Sequence, residues 1–319
     1  MPDGMLTVFG CAGEERLLFE RYAARLNARI TCVGEPIRPA SAGLIPPESA
    51  VSVSHMSPVD ARLVRILRDR GVGYLSSRSV GLDHIDLAEA KLAGILVKGV
   101  DYSPESVAEY TVMLMLMAMR NARQTLLRAG RLDFRLQDRR PPELRDMTVG
   151  VVGTGRIGSA VIGLLRGFMC RLVAYDPRPR ANVAYLELDE LLRVSDLVTL
   201  HLPLTTATRH LLDRARIERM KRGAILINTA RGALVDTPAL ADALERGDIA
   251  SAALDVVEGE EGWFYRDCSR AGLPPFQRLL SLPNAIVTPH TAFYTRHALE
   301  DTARNTLQDY LEYIGGSGR

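Results

Sequence analysis

A glycine-rich turn between a strand and a helix constrains the fold of this chain more than any other feature. The segment VGVVGTGRIG (149–158) begins with apolar residues that predict a strand and continues with glycines in the spacing GxGxxG. In this pattern the first glycine allows a tight turn, the second lets a pyrophosphate approach the backbone, and the third lets helix and strand pack closely. N–H groups at the positive end of the helix would hold the phosphates. The segment therefore predicts a dinucleotide-binding turn that consists of Gly153, Gly155, Arg156, Ile157 and Gly158.

An acidic residue follows the next predicted strand. The strand 171–175 ends immediately before Asp176, 18 residues after Gly158. A carboxylate at this place bonds the ribose hydroxyls of the adenosine and repels a 2′-phosphate, which favours NAD as the cofactor. Arg178 and Arg180 keep NADP possible, because a nearby arginine accommodates a 2′-phosphate. The alternative without a cofactor is a glycine-rich turn with an incidental surface aspartate.

Composition excludes several other classes of protein. The 319 residues suffice for two domains, and 40 Lys+Arg against 38 Asp+Glu give a net charge of +2, which argues against a nucleic-acid-binding protein. The four cysteines are scattered without the spacing of metal ligands, so we expect neither a metal site nor a disulfide framework. No apolar run reaches the length of a membrane span, and the first ten residues do not resemble a signal peptide. These features predict a soluble, cytoplasmic protein that does not bind membranes.

Short apolar runs alternate with amphipathic stretches, which predicts βαβ units and an α/β fold with parallel sheets. We expect a Pro- and Gly-rich surface loop over 35–48 and a solvated linker over 128–145. The predicted strands are 5–10, 29–33, 73–76, 148–153, 171–175, 197–201, 224–228, 251–255 and 285–288. The predicted helices include 14–27, 59–70, 156–167 and about 295–314.

A long helix is predicted to begin after Ser103 and Pro104. Ser103 is a suitable N-cap, proline suits the first turn of a helix, and residues 106–128 contain neither Gly nor Pro. The middle of this helix, VMLMLMAM (112–119), is apolar on every side. An all-round apolar helix is buried, so we expect it to pack against another domain or another subunit.

Three later strands are each followed directly by polar side chains. One strand leads to Arg231, the next to Asp255, Glu258 and Glu260, and the last to His290. Ligands of open α/β sheets bind beyond the carboxyl ends of the strands. An arginine can grip a substrate carboxylate and polarise a carbonyl, and a histidine oriented by a carboxylate can donate a proton to an alkoxide. The set therefore predicts reduction of a 2-keto acid by a nicotinamide-dependent dehydrogenase.

Spacing alone leaves several alternatives open. His201 also follows an apolar strand, so the position of a histidine does not by itself identify the acid. Arg231 could instead bind carbonyls at a helix end, and Glu258, Glu260 and Glu261 could form a solvated acidic turn.

The sequence resembles the D-isomer-specific 2-hydroxyacid dehydrogenases over nearly its full length. The motifs that carry the resemblance are VGVVGTGRIG (149–158), DLVTLHLPLTTATRHLL (196–212), MKRGAILINTARGALVDTPAL (220–240), AALDVVEGEE (252–261) and NAIVTPHTAFYT (284–295). The segment SSRSVGLDHIDL (76–87) looks most similar to D-lactate dehydrogenases. DMTVGVVGTGRIG (146–158), LRGFMCRLVAYD (165–176) and EGEEGWFYRDCS (258–269) look most similar to those of the vancomycin-resistance type. Enzymes of that type make D-lactate for cell-wall precursors that end in D-Ala-D-Lac.

The resemblance implies a role for each matching residue. Arg231 would bind the substrate carboxylate, His290 would be the acid/base, and Glu260, rather than Glu258, would be its carboxylate partner. Asp255 would help to position the nicotinamide carboxamide, and His201 would border the cofactor. The backbone N–H groups of Val80 and Gly81, in the loop after the third predicted strand, would contact the substrate carboxylate. The remaining implied substrate-binding residues, Tyr102 and Phe293, would line a pocket for a small methyl group.

The resemblance also implies two Rossmann-like, doubly wound domains. A flavodoxin-like substrate domain would comprise 1–100 and 292–319, and the NAD-binding domain, 101–291, would be inserted within it. The implied reaction is reduction of pyruvate to D-lactate by a homodimer associated through the 104–128 helix region. A reductase for hydroxypyruvate or a bulkier keto acid is one alternative, and a non-catalytic, dinucleotide-sensing corepressor is another.

Overall fold

The computed structural model describes residues 4–136 and 140–316. The chain folds into two compact units. One comprises the described residues of Met1–Ser103 and Tyr294–Arg319, and the other comprises those of Pro104–Phe293. Two chain crossings, after Ser103 and after Phe293, therefore connect the units.

A sheet of five parallel strands forms the centre of the first unit, in the order β2-β1-β3-β4-β5. This order is the flavodoxin-like form of the doubly wound fold, in which consecutive parallel strands are joined by helices. With elements numbered along the whole chain, the strands are β1 (Leu6–Phe9), β2 (Ile30–Val33), β3 (Ala50–Val53), β4 (Tyr74–Ser77) and β5 (Leu96–Gly99). The helices of this unit are α1 (Gly13–Leu26), α2 (Ala61–Asp69), α3 (Leu87–Leu92) and α11 (Arg296–Gly316).

The sequence prediction for the first unit was incomplete. It missed β3 and β5, because Ser52 and Lys98 interrupt these short apolar runs. The predicted surface loop 35–48 contains a 3₁₀ helix, Pro39–Leu44. Apolar side chains in and beside this 3₁₀ helix, among them Ile37 and Ile45, are buried in the core of the unit, which explains why the segment is ordered against the sheet.

The second unit contains a sheet of seven parallel strands in the order β12-β11-β10-β9-β6-β7-β8. The order reverses on either side of β6, so the glycine-rich turn lies at the topological switch point, where ligands of open α/β sheets bind. The strands are β6 (Thr148–Val152), β7 (Arg171–Tyr175), β8 (Ala184–Tyr185), β9 (Leu197–Leu200), β10 (Ala224–Asn228), β11 (Ile249–Leu254) and β12 (Ala285–Val287). The two sheets confirm the predicted fold class. The sequence missed β8, which has only two residues.

Seven helices flank this sheet among the residues that the structure describes. They are α4 (Glu105–Met119), α5 (Ala122–Ala129), α6 (Arg156–Leu165), α7 (Leu188–Val194), α8 (Arg214–Arg219), α9 (Thr237–Arg246) and α10 (Gln277–Ser281). The prediction of one long helix after Ser103 was wrong, because Asn121 takes a left-handed conformation at φ 50° and separates α4 from α5. Ser103 is not the N-cap, since Pro104 already has helical dihedral angles and occupies that position. The backbone N–H of Ser103 instead donates to Asp301.

The apolar stretch of α4 is buried within its own unit. Val112, Leu114, Met115, Ala118 and Met119 belong to one core cluster with residues of α6 and of the central strands. Met113 of α4 is 40% exposed, and on α5 Leu126 and Leu127 are 67% and 56% exposed. Packing in the core of its own unit thus explains why most side chains of α4 are apolar, whereas α5 exposes apolar side chains on the surface of the unit. None of the helices in the described parts of the chain is both long and apolar enough to span a membrane.

Candidate active site

His290 and Glu260 form a hydrogen-bonded pair at the carboxyl edge of the larger sheet. His290 follows β12, Glu260 follows β11, and the His290 Nδ1 atom lies 2.7 Å from Oε1 of Glu260. Both side chains are largely shielded, with 15% and 18% of their surface exposed. The other carboxylate oxygen, Oε2, accepts the backbone N–H of Val257 at 2.7 Å, which fixes the carboxylate. Because an ionised carboxylate only accepts hydrogen bonds, Nδ1 carries a proton, and proton transfer to a ligand falls to Nε2.

Glu258 belongs to a second, separate pair. Its carboxylate lies 2.9 Å from Nε2 of His210 and 3.0 Å from Nη1 of Arg209. Residue type and position after a strand do not distinguish Glu258 from Glu260 as the hydrogen-bond partner of His290. In the structure, Glu260 is hydrogen-bonded to His290, and Glu258 is hydrogen-bonded to His210.

The loop that carries His290 is anchored on Asp255, whose side chain is fully buried. The carboxylate of Asp255 accepts the Thr288 hydroxyl at 2.6 Å and the backbone N–H groups of Thr291 and Ala292 at 3.0 and 2.8 Å. The backbone N–H of His290 also donates to the carbonyl of Asp255 at 2.8 Å. Asp255 thus fixes the loop on both sides of the histidine.

Tyr265 is a site residue that the sequence reasoning missed. Its hydroxyl donates to the carbonyl of His290 at 2.6 Å, and its ring centroid lies 6.4 Å from that of the imidazole. The ring of Phe293 also meets the imidazole edge-on, at a centroid distance of 6.2 Å. Tyr265 lies in the segment EGEEGWFYRDCS (258–269), but nothing in its residue type or position in the sequence predicts a contact with His290.

The turn that bears Arg231 is held by the buried side chain of Asn228. The Asn228 Oδ1 atom accepts the N–H of Ala230 at 3.0 Å, and Nδ2 donates to the carbonyl of Arg231 at 2.9 Å. A Cβ atom at Gly232 would lie 2.2 Å from the carbonyl carbon of Val257, so only glycine fits there. This close backbone approach places the Arg231 turn directly beside the turn that bears the two glutamates.

The glycine-rich turn has the geometry of a phosphate cradle. Gly153 has φ 96°, a Cβ at Gly158 would lie 1.9 Å from the Gly153 carbonyl oxygen, and a Cβ at Gly155 would meet open space among the described residues. Arg156, exposed, and Ile157, half-buried, are the first residues of α6, so its unbonded N–H groups lie at this turn. The residues present therefore fit a bound pyrophosphate.

Asp176 is fixed beside this turn at the end of β7. Its Oδ2 accepts the backbone N–H of Thr154 at 2.6 Å and the Thr154 hydroxyl at 3.1 Å, while Oδ1 accepts the N–H of Arg178 at 2.7 Å. The carboxylate therefore stays next to the glycine-rich turn, where a ribose hydroxyl of a dinucleotide would meet it.

His201 lies next to the same turn, at the end of β9. Its Nε2 lies 3.0 Å from the Thr199 hydroxyl, and its buried Nδ1 has no hydrogen-bond partner among the described residues. Burial lowers the pKa of His201 to about 3. The ring is therefore neutral at neutral pH, which argues against His201 as a proton donor.

The remaining predicted residues lie in the first unit. Val80 and Gly81 follow β4, the fourth strand and not the third as predicted, because β3 was missed. The side chain of Val80 is 47% exposed, and the carbonyl of Gly81 accepts the Ser79 hydroxyl at 2.6 Å. Tyr102 is half-buried and lies between β5 and α4. Within the described ranges, no group of three His, Cys, Asp or Glu side chains is arranged to hold a metal ion.

Comparison with known proteins finds matches over most of the chain. Residues 112–292 match the family model of the D-isomer specific 2-hydroxyacid dehydrogenase, NAD binding domain. A D-specific alpha-keto acid dehydrogenase of Enterococcus faecalis is 47% identical over 310 residues, which cover 97% of this chain and 96% of that protein. An aromatic 2-oxoacid reductase of Clostridium sporogenes is 35% identical over 303 residues, with 92% of each chain covered.

A solved structure is similar over both units of the chain. It is a D-lactate dehydrogenase from Aquifex aeolicus in complex with NAD and lactic acid. It matches with a TM-score of 0.88 and 32% identity, and the match covers 98% of this chain and 96% of that one.

Replacement of Gly158 by alanine is expected to destabilise the protein, because the new methyl group would clash with the Gly153 carbonyl. Overpacking of this kind costs about 1–3 kcal/mol in the free energy of unfolding. Gly163→Ala is the matched control on the same helix, where a Cβ meets open space among the described residues. Alanine there should stabilise the protein by about 0.5–1 kcal/mol. Urea unfolding of the two variants measures the difference, and equal stabilities would contradict the proposed clash.

Proposed function

The chain belongs to the D-isomer-specific 2-hydroxyacid dehydrogenase family, and from this premise we propose that it reduces pyruvate to D-lactate with NADH. The family resemblance drawn from the sequence is confirmed, as is the predicted NAD-dependent D-2-hydroxyacid dehydrogenase activity. The observation that carries the finer proposal is the hydrogen bond between His290 and Glu260, because it supplies an oriented acid for a keto oxygen.

His290 is proposed to protonate the keto oxygen from Nε2 as the alkoxide develops. Glu260 keeps Nδ1 protonated and stabilises the positive charge of the imidazolium, as carboxylates that orient a catalytic histidine do. Arg231 would bind the substrate carboxylate and polarise the carbonyl, because a guanidinium presents paired donors to a carboxylate. Bound NADH supplies the hydride that reaches the keto carbon.

The cofactor is proposed to bind along the carboxyl edge of the larger sheet. Gly153, Gly155, Arg156, Ile157 and Gly158 would hold the pyrophosphate through the turn and the N-terminus of α6. Asp176 would bond the adenosine ribose, and its negative charge would disfavour a 2′-phosphate, which supports NADH over NADPH.

Two further residues would lie near the cofactor. His201 borders the glycine-rich turn as a neutral ring. Asp255, proposed from the resemblance to position the nicotinamide carboxamide, also anchors the loop of His290 through the contacts described above.

A small keto acid is proposed as the substrate. Val80 and Gly81 would donate backbone N–H groups to the carboxylate, and Tyr102 and Phe293 would line a pocket for the methyl group. The similarity to an enzyme crystallised with lactic acid supports this choice. The similarity to an aromatic 2-oxoacid reductase favours the second candidate, a reductase of a bulkier keto acid or of hydroxypyruvate.

Two other proposals concern the biological role. The resemblance to D-lactate dehydrogenases of the vancomycin-resistance type supports a role in supplying D-lactate for D-Ala-D-Lac cell-wall precursors. A non-catalytic corepressor that senses dinucleotides would have no use for the paired His290 and Glu260, so this pair favours an enzyme over that alternative.

A homodimer formed through the 104–128 region is proposed as the assembly. Leu126 and Leu127 of α5 are exposed beside a hollow of about 380 Å³ that is also lined by Met117, Leu280 and Ile286. A contiguous exposed apolar patch is typical of contact with another chain. A second copy of this chain is the proposed partner.

A panel of keto acids tests the substrate proposal. Purified protein with NADH should oxidise the cofactor faster, judged by kcat/KM, with pyruvate than with hydroxypyruvate or phenylpyruvate. Chiral analysis of the product should give D-lactate. A higher kcat/KM for phenylpyruvate would overturn the assignment to pyruvate, and no turnover with any keto acid would support the non-catalytic alternative.

Substitutions at the two glutamates test the proposed acid. His290→Ala should lower kcat by about 10²–10⁴-fold, the usual contribution of a positioned acid. Glu260→Gln should lower kcat by about tenfold or more. The reason is that the imidazolium that donates the proton loses the carboxylate that orients and stabilises it.

Glu258→Gln is the matched control, because Glu258 faces His210 instead of His290. Its kcat should equal that of the unmodified protein. If Glu258→Gln and Glu260→Gln lowered kcat equally, Glu260 would lose its assigned role.

Charge introduced on α5 tests the dimer. The double substitution Leu126→Glu with Leu127→Glu should convert the dimer to a monomer in sedimentation velocity, because two carboxylates would be buried without partners in the interface. Leu92→Glu, on the exposed side of α3, is the control and should leave the sedimentation coefficient unchanged. An unmodified protein that sediments as a monomer would refute the proposal.

A further inference from the structure

Three side chains of the first unit form a hydrogen-bonded row behind the loop that contains Val80 and Gly81. Nε2 of His84 lies 3.1 Å from the Ser77 hydroxyl oxygen, which lies 2.9 Å from the Ser79 hydroxyl oxygen. The Ser79 hydroxyl in turn lies 2.6 Å from the carbonyl of Gly81. The row therefore ends on the backbone of the loop itself.

The protons of this row can run in one direction only. A carbonyl oxygen cannot donate, so the single hydroxyl proton of Ser79 is used on Gly81, and Ser79 must accept from Ser77. The proton of Ser77 is then used as well, so Ser77 must accept from His84. Nε2 of His84 must therefore carry a proton, whether the ring is neutral or charged. Every hydrogen bond of the row is then donated in the direction of Gly81.

The residues at both ends of the loop are held by independent contacts. Arg78, directly before Ser79, is buried and donates to Glu15 and to the carbonyl of Phe9, each at 2.7 Å. The backbone carbonyl of His84 accepts the N–H of Val59 at 2.8 Å. These anchors fix the two ends of the segment, so the remaining freedom lies in the exposed peptide units between them.

The row restricts that remaining freedom. The Gly81 carbonyl belongs to the rigid peptide unit that precedes Leu82, and the Ser79 carbonyl, which accepts the Val100 N–H at 3.2 Å, belongs to the unit that carries the Val80 N–H. Because both neighbouring units are held, the unit between them, which carries the Gly81 N–H, has few orientations left. Ser77 and Ser79 are buried, which makes their hydrogen bonds stronger than those of an exposed side chain and costly to break.

We propose that His84, Ser77 and Ser79 are positioning residues that orient the Val80–Gly81 backbone for the carboxylate of the keto acid. This inference rests on the proposed function, in which that backbone receives the carboxylate. The carboxylate is present in the substrate and in the transition state alike. Loss of the row therefore weakens both equally, which raises KM and leaves kcat nearly unchanged.

Steady-state kinetics of Ser79→Ala and His84→Leu test the proposal. Each variant should raise the KM for pyruvate by about tenfold, the effect of losing about 1.4 kcal/mol of binding, while kcat stays within about twofold. The KM for NADH should not change. His84→Gln, which places an amide donor near the position of Nε2, should recover most of the lost affinity.

Ser49→Ala is the matched control. Ser49 is also a buried serine of this unit whose hydroxyl donates to a carbonyl, that of Pro46 at 2.8 Å, but the row does not include it. The KM of Ser49→Ala for pyruvate should equal that of the unmodified protein. If Ser49→Ala raised KM as much as Ser79→Ala does, the cause would be a general loss of stability in the unit and not the loss of the row.

Three outcomes would overturn the inference. They are an unchanged KM in Ser79→Ala, a fall in kcat at constant KM, or no recovery in His84→Gln. If Ser79→Ala or His84→Leu does not fold, Ser77→Ala breaks the row at its middle member and should raise KM to the same degree. If the unmodified protein does not reduce pyruvate, the substrate proposal fails separately, and the row is tested with the keto acid that the panel identifies.

Discussion

The buried carboxylate of Asp255 holds the candidate active site together. Removal of a carboxylate from water costs several kcal/mol, and the folded chain offsets this cost with hydrogen bonds from one hydroxyl and two backbone N–H groups. All three donors come from the loop that follows β12. The charge therefore connects the ends of two adjacent strands, and the position of His290 depends on that connection.

This anchoring allows the chain to hold His290 in an unfavourable backbone conformation. His290 has φ 54°, a left-handed value that costs a residue with a Cβ of order 1 kcal/mol and persists only where the surroundings enforce it. Asp255 holds the loop on either side, and Tyr265 binds the carbonyl of the histidine itself. Strain of this kind is common at functional sites, and here it aims the imidazole at the carboxylate of Glu260.

Features encoded locally were predictable from the sequence. The turn at Gly153 follows from residue spacing within ten positions, and the strands that precede Arg231 and His290 follow from short apolar runs. The break at Asn121 was missed, because the prediction of one helix rested on the absence of Gly and Pro, whereas asparagine also accepts a left-handed conformation at a helix end. Contacts such as that of Tyr265 with His290 were also missed, because residues 25 positions apart meet only after the strands have paired.

The chain contains two histidine–glutamate pairs, His210 with Glu258 and His290 with Glu260, that consist of the same residue types. What distinguishes the candidate active site from the other pair is therefore the surroundings of each pair in the fold. Glu258 contacts both His210 and Arg209 in a partly exposed cluster, where the guanidinium of Arg209 also binds the carboxylate. Glu260 is shielded, and its second oxygen binds a backbone N–H, so its charge acts on His290 with less screening by solvent. A glutamate that already neutralises an arginine cannot stabilise an imidazolium to the same degree. Gly259, whose φ of 84° turns the chain between these two carboxylates, therefore gives His290 a shielded carboxylate partner and leaves His210 in a partly exposed cluster.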